Sequence, residues 1–366
     1  MKNTFGNHLS ITLMGESHGS HIGAVLDGMS PGLPISEEII AHHLALRCPY
    51  GPFSTKRREA DVCRIVSGVY QGRTTGTPIT LLIENKDVKS DDYTPLAHTP
   101  RPSHADYTAE CKYHGFQDPR GGGHFSGRVT AALVAAGSIA IQALATKGIK
   151  IGTHISRLGG VDDRAFDVYG DDITLLEQQT FPVLDDIQAQ KMQAQIALAQ
   201  KDGDSVGGIL ETVVTGMPAG IGEPWFDTVE GVLAHGLFSI PAIKGVEFGD
   251  GFGLADLKGS TANDGITLLG DEVLTESNHA GGVCGGVSNG MPIVFRCVVK
   301  PTPSIAKPQD SIDLLTRQKV QIEIAGRHDT AILPRARMVV DAITALSLAD
   351  LLLIHFGADY FTPLAK

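Results

Sequence analysis

Residue types able to do chemistry gather in one stretch, Arg101 to Thr130, which reads RPSHADYTAECKYHGFQDPRGGGHFSGRVT. It holds Arg101, Arg120 and Arg128, the histidines His104, His114 and His124, and the glycines Gly121, Gly122 and Gly123, with His98 just before it. Histidine titrates near neutrality and can move protons, whereas arginine grips phosphate or carboxylate through paired hydrogen bonds. Glycines let backbone amides approach an anion, and a helix start adds the positive end of its dipole. Two other places share this character. His18 stands in the polar corner Gly15-Glu16-Ser17-His18-Gly19, and Gly326-Arg327-His328-Asp329 precedes an Ala- and Leu-rich run much as Gly121 to Arg128 does. Asp329 reads either as a base or as an ion-pair partner, the second being the commoner role. The chemistry these residues suggest is the binding of a phosphorylated anion with proton transfer beside it.

Other chemistries find no motif. The histidines lack metal-binding spacing and have no carboxylate cluster with them. Neither a Walker loop nor a G-x-S-x-G elbow occurs, and the triple glycine does not match the dinucleotide fingerprint. A net charge of -11 argues against nonspecific binding to nucleic acid or anionic membrane, so an anionic ligand needs a local pocket of arginines. Apolar residues at 42% and charged residues at 19% describe a globular chain. With 6% aromatics against 43 glycines, sites built from backbone are favoured over stacking platforms. The five cysteines, odd in number and without a C-x-x-C pair, read as reduced cytoplasmic thiols. We see no signal peptide and no run of the ~18 apolar residues that a membrane helix needs. A cytoplasmic protein without membrane or nucleic-acid partners is expected.

The elements that must position these residues follow from apolar spacing. Leu9 to Met14 and Ile22 to Leu26 read as strands flanking the His18 corner. Ser36 before Glu37 and Glu38 reads as a helix start, and the helix ends near Arg47. Residues 48–60, with Lys56-Arg57-Arg58, read as an exposed loop. Val62 to Val69 and Pro78 to Ile83 read as paired strands. The Arg101 stretch reads as a turn-rich loop feeding a buried helix from Arg128 to Thr146. Later come strands at Ile149 to Leu158, Gly208 to Val214 and Met291 to Lys300, and helices at Leu184 to Lys201, Thr228 to Phe238 and Arg335 to Phe356. The Gly-rich residues 259–290 read as chain wrapped closely about something. With no linker or step in composition, the 366 residues are expected to form one domain, and the likeness of the two polar loops hints at two related halves.

Seven segments carry a further signal in order along the chain. These are GESHG from Gly15, RPSHADYT from Arg101, RGGGHFSGRVTA from Arg120, SIPAIKGVEFGDGF from Ser239, NHAGG from Asn278, KPTPS from Lys300 and GRHD from Gly326. Together they resemble the chorismate synthase family over nearly the whole chain. The resemblance implies an α+β fold, a single-domain β-α-β sandwich over residues 1–366, and a homotetramer. It implies a carbon-oxygen lyase that needs reduced FMN and converts 5-enolpyruvylshikimate 3-phosphate into chorismate and phosphate by an anti-1,4-elimination. Some members of the family reduce their flavin with NADPH and others use an outside reductant; no nicotinamide motif in this sequence decides between them.

Carried over by position, the resemblance implies that His18 protonates the leaving phosphate, His104 holds the flavin in its charge state, and Asp329 assists proton removal through flavin N5. Arg47, Arg57, Arg101, Arg128 and Arg327 would bind substrate. Flavin contacts would come from His124, Phe125, Ser126, Pro241, Ala242, Gly286, Lys300, Pro301, Thr302, Pro303, Ser304 and Arg327. The sequence departs from the commoner family pattern at Pro52 and Phe53, where a further arginine is frequent, and at His124, Pro241 and Thr330. His124 replaces a permanent cation with a titrating one. The competing readings are a non-catalytic FMN- or anion-binding homologue and a flavin-independent phosphate-ester hydrolase using His18.

Overall fold

The computed structural model describes residues 2–48, 61–86, 98–324 and 329–363. Arg57 and its basic neighbours, and Arg327 with His328, lie outside them. The first half of the chain forms strands β1 (Ser10–Gly15) and β2 (His21–Asp27), helix α1 (Glu37–Arg47), strands β3 (Cys63–Ser67) and β4 (Ile79–Glu84), helix α2 (Asp106–Tyr113) and helix α3 (Thr130–Ala145). The second forms β5 (Lys150–Leu158), α4 (Asp186–Lys201), β6 (Gly208–Thr215), α5 (Val229–Ser239), β7 (Ile243–Phe248), β8 (Ile293–Val299) and α6 (Leu333–Phe356).

The halves repeat one plan. In the first, the strands lie in the order β1-β2-β4-β3, with Thr4–Phe5 at the outer edge beside β1; in the second, the order is β5-β6-β8-β7, with Val161–Asp162 beside β5. Each sheet therefore places its first, second, fourth and third strands side by side, all antiparallel. In each half one helix lies between the second and third strands, α1 or α5, and another follows the fourth, α3 or α6. The long polar loops noticed in the sequence are equivalent pieces of this plan, each leading from a fourth strand into a closing helix.

Strand β8 shows why sheets form here: Ile293, Phe295, Cys297 and Val299 are buried while the residues between them are not, so one face turns inward. Helices α3 and α6 read differently, being apolar on nearly every side, because they pack on each other and between the sheets. Helix α3 meets β2 and β4, and α6 meets β5 and β6. The layers are sheet, helices, sheet. Gly137 sets the approach of the central pair, since a Cβ there would stand 2.3 Å from the Cβ of Ala342.

Four features differ from the sequence reading or refine it. Helix α2 interrupts the stretch expected to be loop; its residues are too polar to show a buried stripe, and only Ala109 is buried. The segments Gly127–Ala145 and Leu333–Phe356 are long and apolar enough to cross a membrane, contrary to expectation, but 78% and 83% of their most apolar windows are buried inside the fold. Their apolarity is spent on the central layer. Part of the Gly-rich stretch does wrap closely: a Cβ at Gly281 would lie 2.4 Å from the Gly249 nitrogen. Another part, the hairpin Ile266–Leu269 with Glu272–Thr275, is exposed instead.

A buried imidazole ties the outer face of the second sheet together. His154 on β5 holds Asp163 at Nδ1 (2.8 Å) and Glu211 of β6 at Nε2 (2.9 Å). Burial disfavours its charge, but the hydrogen bonds it donates to the two carboxylates prevail and raise its pKa above the ordinary value. A raised histidine pKa gives stability that is complete below the unfolded pKa of about 6.5 and fades as pH climbs through the folded one. Urea denaturation should show stability falling as pH rises above neutrality, and His154→Gln should flatten that slope. At the helix crossing, Gly137→Ala should lower unfolding stability by about 1–3 kcal/mol through overpacking, read from the denaturation midpoint.

Candidate active site

The closing helices α3 and α6 both begin at one cavity of about 990 Å³, lined by Val129, Thr130 and Leu133 from one side and Ile332, Arg335 and Ala336 from the other. That volume suits a small-molecule site. Two helix starts directed at one hollow give it a positive potential. Arg47, Arg128, Lys244 and Lys300 also line it.

The guanidiniums are held by buried carboxylates. Asp61 has only 1% of its side chain exposed and lies between Arg47, whose Nη1 donates to it at 3.1 Å, and Arg128, whose Nη1 donates to its other oxygen. Arg47 also donates from Nε to the Thr130 hydroxyl (3.0 Å) and from Nη2 to the Gly127 carbonyl (2.7 Å), which fastens the end of α1 to the loop entering α3. Arg128 reaches Asn85 Oδ1 at 2.9 Å. Across the cavity, Arg335 donates from Nη1 to Asp329 and from Nε to the Arg47 carbonyl (3.1 Å). Burial, then the charge of Arg335, lower the Arg47 pKa to about 10, with Asp61 acting in the opposite sense. Arg47 stays charged at neutrality. Burial and the like charge of Lys244 likewise push Lys300 down.

The Arg101 loop brings the histidines. Asp106, at the start of α2, accepts from Arg101 Nε and Nη2, both at 2.7 Å. Burial would raise the Asp106 carboxyl, but hydrogen bonds from Arg101 and His104 hold it far below the usual range. Being ionised, it is an acceptor, so His104 Nδ1, 2.7 Å away, carries the donating proton. His104 Nε2 is left for other work. His124 is fixed in the same manner by Nδ1 donating to the Gly15 carbonyl at 2.8 Å.

The three glycines form an arch between two histidines. A Cβ at Gly121, where φ is +59°, would lie 2.3 Å from His18 Cε1; one at Gly122 would lie 3.2 Å from His104 Cε1. No side chain fits beneath such an arch. His18 is buried behind it and lines neither this cavity nor its neighbour of about 410 Å³. The second half supplies the facing wall: Ala242, with a left-handed φ of 78°, accepts from the Lys300 backbone N–H at 3.0 Å, and Lys300 Nζ donates to the Ser103 carbonyl.

Most residues singled out in the sequence meet at this place. Arg47, His104, His124, Phe125, Ser126, Arg128, Pro241, Ala242, Lys300, Thr302, Pro303, Ser304 and Asp329 all line the larger cavity. Arg101 lines the smaller one, which shares His124 and Phe125. Pro301 packs against Gly207 instead. Gly286 sits against Thr228, the cap of α5, and is not among the residues lining either cavity. Asp61, Asp106, Lys244 and Arg335 were missed, since a lone acid, or a single basic residue inside a strand or a helix, carries no pattern. Removing the carboxylate in Asp61→Ala would strand two buried guanidiniums, and chemical denaturation should record a loss of about 3–5 kcal/mol.

Comparison with known proteins agrees with this geometry. The family model described as chorismate synthase matches residues 9–353. Curated proteins named chorismate synthase include one from Thermococcus kodakarensis, 45% identical over 95% of this chain and 97% of its own, and one from Aeropyrum pernix, 43% identical over 97% and 93%. A solved structure titled "Crystal Structure of Chorismate Synthase" superposes with a TM-score of 0.77 at 31% identity, covering 97% of this chain and 94% of the other. With the same layered fold and the polar loops converging on one cavity, the chain belongs to the chorismate synthase family of lyases.

Proposed function

We propose that this chain converts 5-enolpyruvylshikimate 3-phosphate into chorismate and phosphate by anti-1,4-elimination with reduced FMN, as a carbon-oxygen lyase of class EC 4.2.3.5. The observation that carries the reading is the meeting of both halves' polar loops and helix starts on one cationic cavity. A substrate with a phosphate and two carboxylates needs several cations at once, and Arg47 and Arg128 from the first half, with Lys244 and Lys300 from the second, offer them. Arg57 and Arg327 are proposed to add to this set, with Arg101 acting through its hold on Asp106.

The walls suit a flavin. Phe125, Pro241 and Ala242 offer apolar surface beside the Ser126 and Ser304 hydroxyls and the Lys300 ammonium. Thr302 Oγ1 is buried and makes no hydrogen bond among the described residues, so it has capacity for a ligand's polar group. Reduced FMN, when bound, lends electron density as phosphate leaves and regains it as the hydrogen departs. The protein's part is proton management and exclusion of water. His104, with Nδ1 donating to Asp106, keeps Nε2 free of that bond and would hold the flavin in its charge state; Asp329 would assist proton removal through flavin N5; His18, behind the glycine arch, would protonate the leaving phosphate.

We infer a cytoplasmic homotetramer, with NADPH as one route to reduced flavin. Support for self-association comes from the exposed apolar residues Ile266 (80%), Leu268 (69%) and Leu269 (69%) on one hairpin, a surface that ordinarily seeks cover.

The decisive measurement is anaerobic phosphate release from the substrate with reduced FMN. Release only under reduction is expected; flavin binding without release would favour a non-catalytic homologue, and release in air without flavin would favour a hydrolase. His104→Ala and His18→Ala should each lower turnover about 10²-fold or more.

A further inference from the structure

We propose that Arg335 is a positioning residue for Asp329, holding the carboxylate of one half against the backbone of the other across the cavity. The proposal rests on the lyase reading above. Arg335 stands in the first turn of α6, where a cation opposes the helix dipole and no acidic residue offsets it. Helix stability alone would not favour an arginine there. Its guanidinium nevertheless makes two ties in different directions, Nη1 to the Asp329 carboxylate and Nε to the Arg47 carbonyl at 3.1 Å.

The backbone beside Asp329 is tied as well, since the next residue, Thr330, gives its carbonyl to the Val206 N–H at 2.9 Å. The Asp329 side chain is 9% exposed and that of Arg335 24%, so the pair is shielded enough for its geometry to be definite yet open to a ligand. A planar guanidinium can bond a carboxylate and a carbonyl together, whereas the single ammonium of lysine reaches one partner well. Arg335 thus fixes where Asp329 points relative to Arg47, which itself is locked to Asp61. Misplacing a reacting group by about 1 Å costs up to about 10² in rate.

The test compares Arg335→Gln and Arg335→Lys with the parent under anaerobic turnover, alongside thermal melting and a crystal structure of the Gln variant. We expect Arg335→Gln to melt near the parent, to lose at least about tenfold in kcat with KM changed less than about threefold, and to show the Asp329 carboxylate displaced. Arg335→Lys should recover part of the kcat loss. A kcat of the Gln variant within about twofold of the parent, a loss confined to KM, a lysine variant no better than glutamine, or an unmoved Asp329 would each overturn the proposal. Should the parent release no phosphate, the lyase reading fails, and the position of Asp329 in the variant crystal still decides whether Arg335 holds it.

Discussion

The close approach of α3 and α6 at Gly137 and Ala342 is the constraint on which the remaining architecture depends. With a larger residue at the crossing the central layer would thicken, and the two sheets packed on its faces would part. Because the helices lie so near one another, their first turns open onto the same hollow, and each sheet delivers its loop to that hollow from its own side. The repeat of strand order in the halves makes the two deliveries equivalent. The site is a product of packing before it is a product of chemistry.

Charge is arranged at that hollow by alternation. Asp61 lies between Arg47 and Arg128, the Arg47 carbonyl receives Arg335, and Arg335 in turn meets Asp329. Buried ions cost several kcal/mol each unless well partnered, so each carboxylate here keeps neighbouring cations tolerable in a shielded place. Among the described residues of this chain of contacts, three guanidiniums meet two carboxylates. Burial first, and a neighbouring cation second, lower the pKa of both Arg47 and Lys300.

Much of this was legible in sequence, and the exceptions have physical causes. Apolar alternation located β1, β2, β4 and β8, while the Ser36 cap marked where α1 begins and helical spacing from Thr228 marked α5. The glycine triplet stood out because its backbone must pass close to two imidazole rings. Helix α2 was hidden because its stability owes little to a buried face, and the apolar length of α3 and α6 was underread because neither is an unbroken run. Asp61 and Asp106 could not be singled out, since what distinguishes them is the arginine each meets in space. Gly286 entered by resemblance alone, and what the fold adds is its packing on the cap of α5.

The carboxylates that steady the arginines also shape what the hollow retains. Because Asp61 and Asp329 already engage guanidiniums, only a guest bearing several negative groups at once can outcompete them by summing its attractions. On the proposed reaction, that guest is cut into two smaller anions, and each fragment inherits a fraction of the grip. Release of both pieces is then built into the electrostatics of the empty protein, with no lid required to expel them.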